Sequence, residues 1–345
     1  MDPFRGQDGA TPSDVLIDAG PAPAITELTN PATDGLVTGS DATGLYVRGP
    51  GGWCRIPDVM GEGPARFVLS GDFALWRVFR TAVRPALQIA LLQREAVAVH
   101  AASVELDGRA IVVAGWSESG KTETALALME RDASFLSDKW TVWGADGTLS
   151  MFPITVGIRR WVLPFLPQLR ASLTRRARAQ FAAAGVADRV SGPLRGRRRG
   201  GRLAGLASEA MDRAVALADR AALTPTELRE AYGQTSDAGR RMPVRCIVML
   251  ANGPSDEISV DDADPRHAAT RLARSAAYER RAWFGLQERA RYSLPTRAHG
   301  LSMEQVIERE RSLLEARLAG TRVLTVRAPF PTDPCRVADA ILARL

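Results

Sequence analysis

Lysine is almost missing from this chain. Of 45 lysines and arginines only two are lysine, Lys121 and Lys139, which leaves 43 arginines. Cysteine is also scarce: Cys54, Cys246 and Cys335 stand far apart, odd in number and without a C-x-x-C pair. That excludes a disulfide framework and a locally spaced zinc site, and it suits a reducing, cytoplasmic setting. The three thiols read as small buried apolar residues, with a catalytic thiol as the alternative. The histidines, His100, His267 and His299, are too scattered for a local metal cluster. No stretch approaches the roughly eighteen uninterrupted apolar residues of a membrane span. Residues 1–20 begin with a Gly-, Asp- and Pro-bearing stretch that has no apolar segment. They read as a disordered N-terminus rather than a secretory signal.

What remains is the composition of a soluble globular protein: 345 residues, 46% apolar and 24% charged. This length can bury one large core or two smaller ones. The net charge of +6 is unevenly placed. Residues 159–202 hold twelve arginines and one acid, Asp188, or +11, which leaves −5 for the rest. Within them Arg195, Arg197, Arg198, Arg199 and Arg202 are interleaved with glycines. This segment reads either as an anion-binding surface or as a solvated insertion.

Gly- and Pro-punctuated alternating runs over 35–69 predict a small β-meander. Residues 72–93 carry Phe73, Trp76, Phe79, Val83 and Leu87 at helical spacing. Residues 21–95 therefore read as a small β subdomain with a connecting helix. From 96 the pattern becomes strand, Asp107-Gly108 hairpin turn, apolar strand, glycine loop, helix and strand. Ala145-Asp146-Gly147 offers a further turn. Residues 161–240 look mostly helical, with a capping box at Thr224-Pro225-Thr226-Glu227. A buried strand is expected over 244–250 and a short one over 257–260. Long helices are expected over 265–289 and 302–318, then a strand over 322–326 and a helix from 334. Among Asp256, Asp261, Asp262 and Asp264, capping of the helix at Pro265 is the favoured role over a second nucleotide motif.

Both lysines lie close to one pattern. Gly115-Trp116-Ser117-Glu118-Ser119-Gly120-Lys121-Thr122 fits G-x-x-x-x-G-K-[ST], a phosphate loop. Strand before and helix after make the match specific. Backbone N–H groups at a helix N-terminus face phosphate oxygens, and the helix dipole adds partial positive charge. Lys121 supplies a compact point charge, and the Thr122 hydroxyl suits a magnesium shell. Asp138 ends the next strand, where a carboxylate can hold Mg2+ or accept a proton; a turn cap is the alternative. Trp140, Trp143 and Trp161 flank this core as packing residues or as a base-stacking wall.

The run His100-Ala101-Ala102-Ser103, the Asp107-Gly108 turn, the stretch from Gly115 to Leu128, and Phe135-Leu136-Ser137-Asp138 together resemble the catalytic core of HPr kinase/phosphorylase. The likeness covers residues 97–143, 47 of 345 positions. It implies an α/β fold with a carboxykinase-type P-loop core, a mixed β-sheet and flanking helices, beside the small N-terminal β subdomain. The core would span 96–345, with an Arg-rich helical insertion at about 160–240. The resemblance also implies ATP, Mg2+ and phosphoryl transfer to a serine hydroxyl. Gly115, Trp116, Ser117, Glu118, Ser119, Gly120, Lys121, Thr122 and Glu123 correspond to the nucleotide loop. Asp138 corresponds to the catalytic base, with Thr122 to the metal shell, and His100 to a histidine near the phosphates. By itself His100 reads as a satisfied core histidine rather than a functional one.

Three departures stand out. The family's second aspartate is Lys139 here, and a loop glycine is Glu118. No segment corresponds to the one that serves phosphorolysis. Lys139 either supplies charge at the site or pairs with Glu118. The expectation is a kinase acting on a peptide or small protein, acidic if the arginine segment recruits it. The resemblance allows a homo-oligomer. The alternatives are a non-catalytic regulatory nucleotide-binding module and a nucleic-acid-associated NTPase. Against nucleic acid stands the lack of aromatics in 189–202.

Overall fold

A computed structural model describes residues 15–29, 36–57, 64–183, 219–235, 239–297 and 299–345. The chain is mixed α/β and forms two compact units. The first comprises residues 1–100, 142–147 and 264–320; the second comprises 101–141, 148–263 and 321–345. Among the described residues no helix is long and apolar enough to cross a membrane. The arginines at 195–202 lie outside the described residues.

The first unit contains the expected meander, enlarged to six strands. Thr38–Asp41, Gly44–Gly49, Gly52–Ile56 and Ala65–Gly71 form successive antiparallel pairs. Glu27–Thr29 adds to one edge, and Val15–Ala19 runs parallel to Ala65–Gly71 at the other. The disordered N-terminus expected over 1–20 does not extend to 15–19: their backbone finds a partner fifty residues away in the register Val15↔Ala65. The helical run expected over 72–93 is broken into Trp76–Val78, a π turn Phe79–Val83, Arg84–Ala90 and a 3-10 turn Leu91–Arg94. Its Trp76 is exposed rather than in the core.

The long helix expected over 265–289 is two helices, Pro265–Glu279 and Arg281–Ser293. Arg280 separates them, with φ −100° and ψ 7°. Its guanidinium is buried against Glu310 at 2.5 Å, and its Nε donates to the Ala276 carbonyl at 3.1 Å. Glu310 lies on Met303–Leu318, whose Ser302 forms a capping box with Gln305. Asp264 caps the first of the two helices by accepting from Arg266 N at 3.0 Å, the role read from sequence.

The second unit is built on a mixed sheet. In order its strands are Ser134–Ser137, Ala101–Leu106, Arg109–Gly115, Met242–Asn252, Arg322–Ala328 and Ser259–Asp262. Thr148–Met151 also pairs with the start of Met242–Asn252. The Asp107-Gly108 hairpin is present, with positive φ at both residues (53° and 75°), as a type I′ turn requires. Ile111, Val113, Ala125, Leu126, Leu128, Val248 and Val326 belong to one buried core. The stretch expected to be helical over 161–240 contains a strand, Arg220–Leu223, paired with Val156–Arg159. Its neighbour Pro225–Ala231 starts at the expected Thr224 capping box.

Candidate functional site

Three parallel strands end at the same edge of the second unit's sheet. Leu250 pairs with Gly115 and Asn252 pairs with Ala328, so Arg109–Gly115, Met242–Asn252 and Arg322–Ala328 finish together. The carboxyl edge of parallel strands is where open α/β sheets collect ligands. Here the edge carries the glycine loop. A Cβ on Gly115 would stand 2.8 Å from the Leu250 carbonyl oxygen, so only glycine lets the loop leave beside that strand. Gly120 then sits at φ 90° and leads into the helix Lys121–Met129. Having no side chain, Gly120 leaves the first-turn N–H groups to be met by something else.

Lys121 is buried and folded back on its own loop. Its Nζ donates to the Gly115 carbonyl at 3.2 Å and to the Trp116 carbonyl at 2.6 Å. Those two oxygens hold the ammonium against its own loop. Ser119 Oγ is buried and accepts or donates no hydrogen bond among the described residues. Trp116 is half exposed.

The Thr122 hydroxyl donates to Asp138 Oδ1 at 2.8 Å. Asp138 is buried, and its Oδ2 has no hydrogen-bond partner among the described residues. Burial pushes the carboxyl above its usual range; the Thr122 bond and the nearby charges of Lys139 and Lys121 oppose that. The turn that holds it is tight. Trp140 N donates to the Asp138 carbonyl at 2.7 Å, Ser137 Oγ donates to the Trp140 carbonyl, and Lys139 takes φ 60°. Lys139 Nζ donates to the Thr155 carbonyl at 3.3 Å.

The loop's two acids share one arginine. Arg159 donates to Glu118 Oε1 at 2.9 Å, and its Nε lies 3.9 Å from Glu123. Glu123 is buried, which raises its pKa; its own backbone N–H and then Arg159 oppose the rise. The cation met by Glu118 is therefore Arg159, where Lys139 was one expectation. Glu118 itself adopts φ 60°, the left-handed conformation that suits glycine.

Beside Ser119 and Gly120 lies a narrow slot of about 20 Å³, to which Trp161, Asn252 and Phe330 also contribute. Trp161 meets Phe330 edge to face, with centroids 5.9 Å apart. Trp140 and Trp143 are fully buried packing residues. Arg159, Asn252 and Phe330 were not singled out from the sequence. Two acids on a phosphate loop were a signal that a cation must follow, but its position was not readable. Asn252 and Phe330 become relevant only once the strand ends are aligned.

His100 belongs to the first unit. It is buried, with Nδ1 3.0 Å from Ser275 Oγ on the helix Pro265–Glu279. This partner accounts for its burial as a satisfied histidine. The cysteines show no activated thiol: burial pushes Cys54 up to about 12 and Cys246 to about 11, and raises Cys335. No family model matches this sequence, and a search of curated proteins finds no match.

The donor set suits a magnesium ion. Mg2+ prefers oxygen ligands and takes one or two carboxylates plus substrate phosphates. Thr122 and Asp138 present a hydroxyl and a carboxylate in contact, with one buried carboxylate oxygen still without a partner. Among the described residues no group of three or more His, Cys, Asp and Glu is placed to hold a metal. A metal at this position would therefore need a phosphate to complete its shell.

Proposed function

We propose that this chain is an ATP-dependent kinase of the HPr-kinase-like group, with a carboxykinase-type P-loop core. Its acceptor would be a hydroxyl, most simply serine, on a peptide or small protein. The observation that carries the reading is the Thr122–Asp138 contact at the mouth of the glycine loop, with Asp138 Oδ2 buried and unpartnered. A buried carboxylate oxygen left open beside the glycine loop is placed to meet a metal ion or a proton.

The geometry supports the following roles. The first-turn amides and Lys121 would receive the triphosphate, Lys121 exchanging two carbonyl contacts for phosphate oxygens. Thr122 and Asp138 would hold Mg2+, which offsets phosphate charge when bound. Asp138 would accept the proton of the acceptor hydroxyl as its oxygen bonds to the γ-phosphorus and the bond to ADP breaks. Its raised pKa makes it a stronger base than an exposed aspartate. Arg159 would keep Glu118 and Glu123 from repelling the phosphates.

The test is transfer of labelled γ-phosphate from ATP to serine-containing peptides, compared between wild type and Asp138→Asn. Labelled peptide from wild type alone is expected. ATP binding without ADP formation, over a broad acceptor panel, would instead favour the non-catalytic nucleotide-binding reading. Two features support that second reading: Lys139 directly after Asp138, and Glu118 within the loop.

A further inference from the structure

The first unit contains a cleft of about 240 Å³ that the reading above does not use. Its floor is apolar, with Leu45, Ile56 and Leu294. Its rim carries three arginines, Arg55, Arg66 and Arg297, and His299 also lines it. Arg55 donates to the Thr43 carbonyl at 2.6 Å, and Arg297 donates to that same oxygen. One neutral carbonyl thus holds two guanidinium groups side by side. Among the described residues neither of the two has an ion-pair partner, whereas Arg66 is paired with Asp18. An acid on the same turn, Asp41, uses Oδ1 to accept from Thr43 N, Thr43 Oγ1 and Gly44 N. His299 turns Nε2 to the Leu294 carbonyl at 2.9 Å.

Each guanidinium has five N–H donors in a planar fork that matches an oxyanion. Two such forks over an aliphatic floor are complementary to a negative head on a hydrocarbon stem. The volume is below the range for drug-sized ligands, so the stem is short. Among the described residues no Trp, Tyr or Phe lines the cleft, so they offer no platform for stacking a base. We propose that this cleft binds a compact oxyanion, carboxylate or phosphate, carried on a short apolar stem. The stem is either a small molecule or an acidic residue beside an aliphatic one in a peptide. This inference is independent of nucleotide binding at the glycine loop.

The experiment is calorimetric titration of the full chain with four probes. These are hexanoate, hexyl phosphate, the peptide acetyl-Leu-Glu-Leu-Glu-amide, and neutral hexanol. The proteins are wild type, Arg55→Gln, Arg297→Gln and Lys121→Ala. Saturable binding of at least one anionic probe is expected. It should weaken by about tenfold or more in either arginine variant and persist in Lys121→Ala. Preference for the peptide over hexanoate would identify a peptide source, and the reverse a free acid. Arg297 is exposed, and a matching thermal melt shows that its variant is folded. The proposal is overturned if no anionic probe saturates, if hexanol binds as well as the anions, or if folded Arg297→Gln binds like wild type.

Discussion

Two buried carboxylates, one in each unit, are handled in opposite ways. Glu310 in the first unit is 0% exposed and meets the guanidinium of Arg280 directly. Asp138 in the second unit is 3% exposed and accepts from neutral donors, the Thr122 hydroxyl and the backbone N–H of Lys139. Burial raises the pKa of both. At Glu310 the opposing influence is a cation in contact. At Asp138 it is first a hydrogen bond, with the charges of Lys139 and Lys121 after it. A buried charge is retained where its loss costs more than its burial, or where a ligand completes it. The first case describes Glu310, which holds the break between two helices. On the proposed reading the second describes Asp138, whose partner Thr122 stands in the first turn of the helix after the glycine loop.

The sharpest way to break this contrast is to neutralise each acid in turn. Asp138→Asn should reduce phosphoryl transfer by about 10²–10⁴-fold, the usual size of a lost general base. It should retain ATP binding through the loop and Lys121, with a smaller gain from Mg2+ because one of its two proposed ligands has lost its charge. Glu310→Gln should leave transfer per folded molecule unchanged. It should cost about 3–5 kcal/mol of stability in urea titration, because the Arg280 charge stays buried without its partner. If both variants lost only stability, Asp138 would be structural and the contrast would fail.

A smaller effect has the opposite sign. Asp138→Asn should stabilise the protein at neutral pH by about 1 kcal/mol, since an amide avoids ionisation in a buried site and still accepts from Thr122. The pH dependence follows from the raised pKa of Asp138 in the folded chain. That shift favours folding below the ordinary carboxylate range, and the benefit is lost as pH rises through the folded-state pKa. The gap between variant and wild type should therefore open as pH rises and close in acid. Thermal melts of the two proteins across pH would show it.

The smallest change concerns Glu118. Glu118→Gly relieves a left-handed backbone and removes an ion pair whose acid is largely exposed. Such a pair contributes little, so a net gain of about 1 kcal/mol is expected from chemical unfolding. ATP affinity should rise as well, because a negative charge leaves the loop.

Local chemistry made part of this molecule legible from sequence. The Asp107-Gly108 turn, the Thr224 capping box and the Asp264 cap each bond within two or three residues. The order of strand, glycine loop, helix and strand around residues 109–138 was readable for the same reason. What escaped depends on partners far along the chain. Val15–Ala19 is a strand because of Ala65–Gly71, and Arg220–Leu223 because of Val156–Arg159. The helix break at Arg280 needs Glu310, thirty residues on. At the candidate site, Lys121, Thr122 and Asp138 could be named from the motif. Arg159 could not, since its acids lie 36 and 41 positions earlier. At His100 the local motif names a candidate site residue, while its bond to Ser275, 175 positions on, could not be read from the sequence.

The central claim is that the glycine loop binds a nucleotide, and calorimetry with ATP and Mg2+ on wild type and Lys121→Ala tests it most directly. The expected result is saturable binding by wild type that needs Mg2+ for full affinity and is lost in the variant while its thermal melt is unchanged. Absence of binding by the folded wild type, or equal binding by both proteins, would contradict the account.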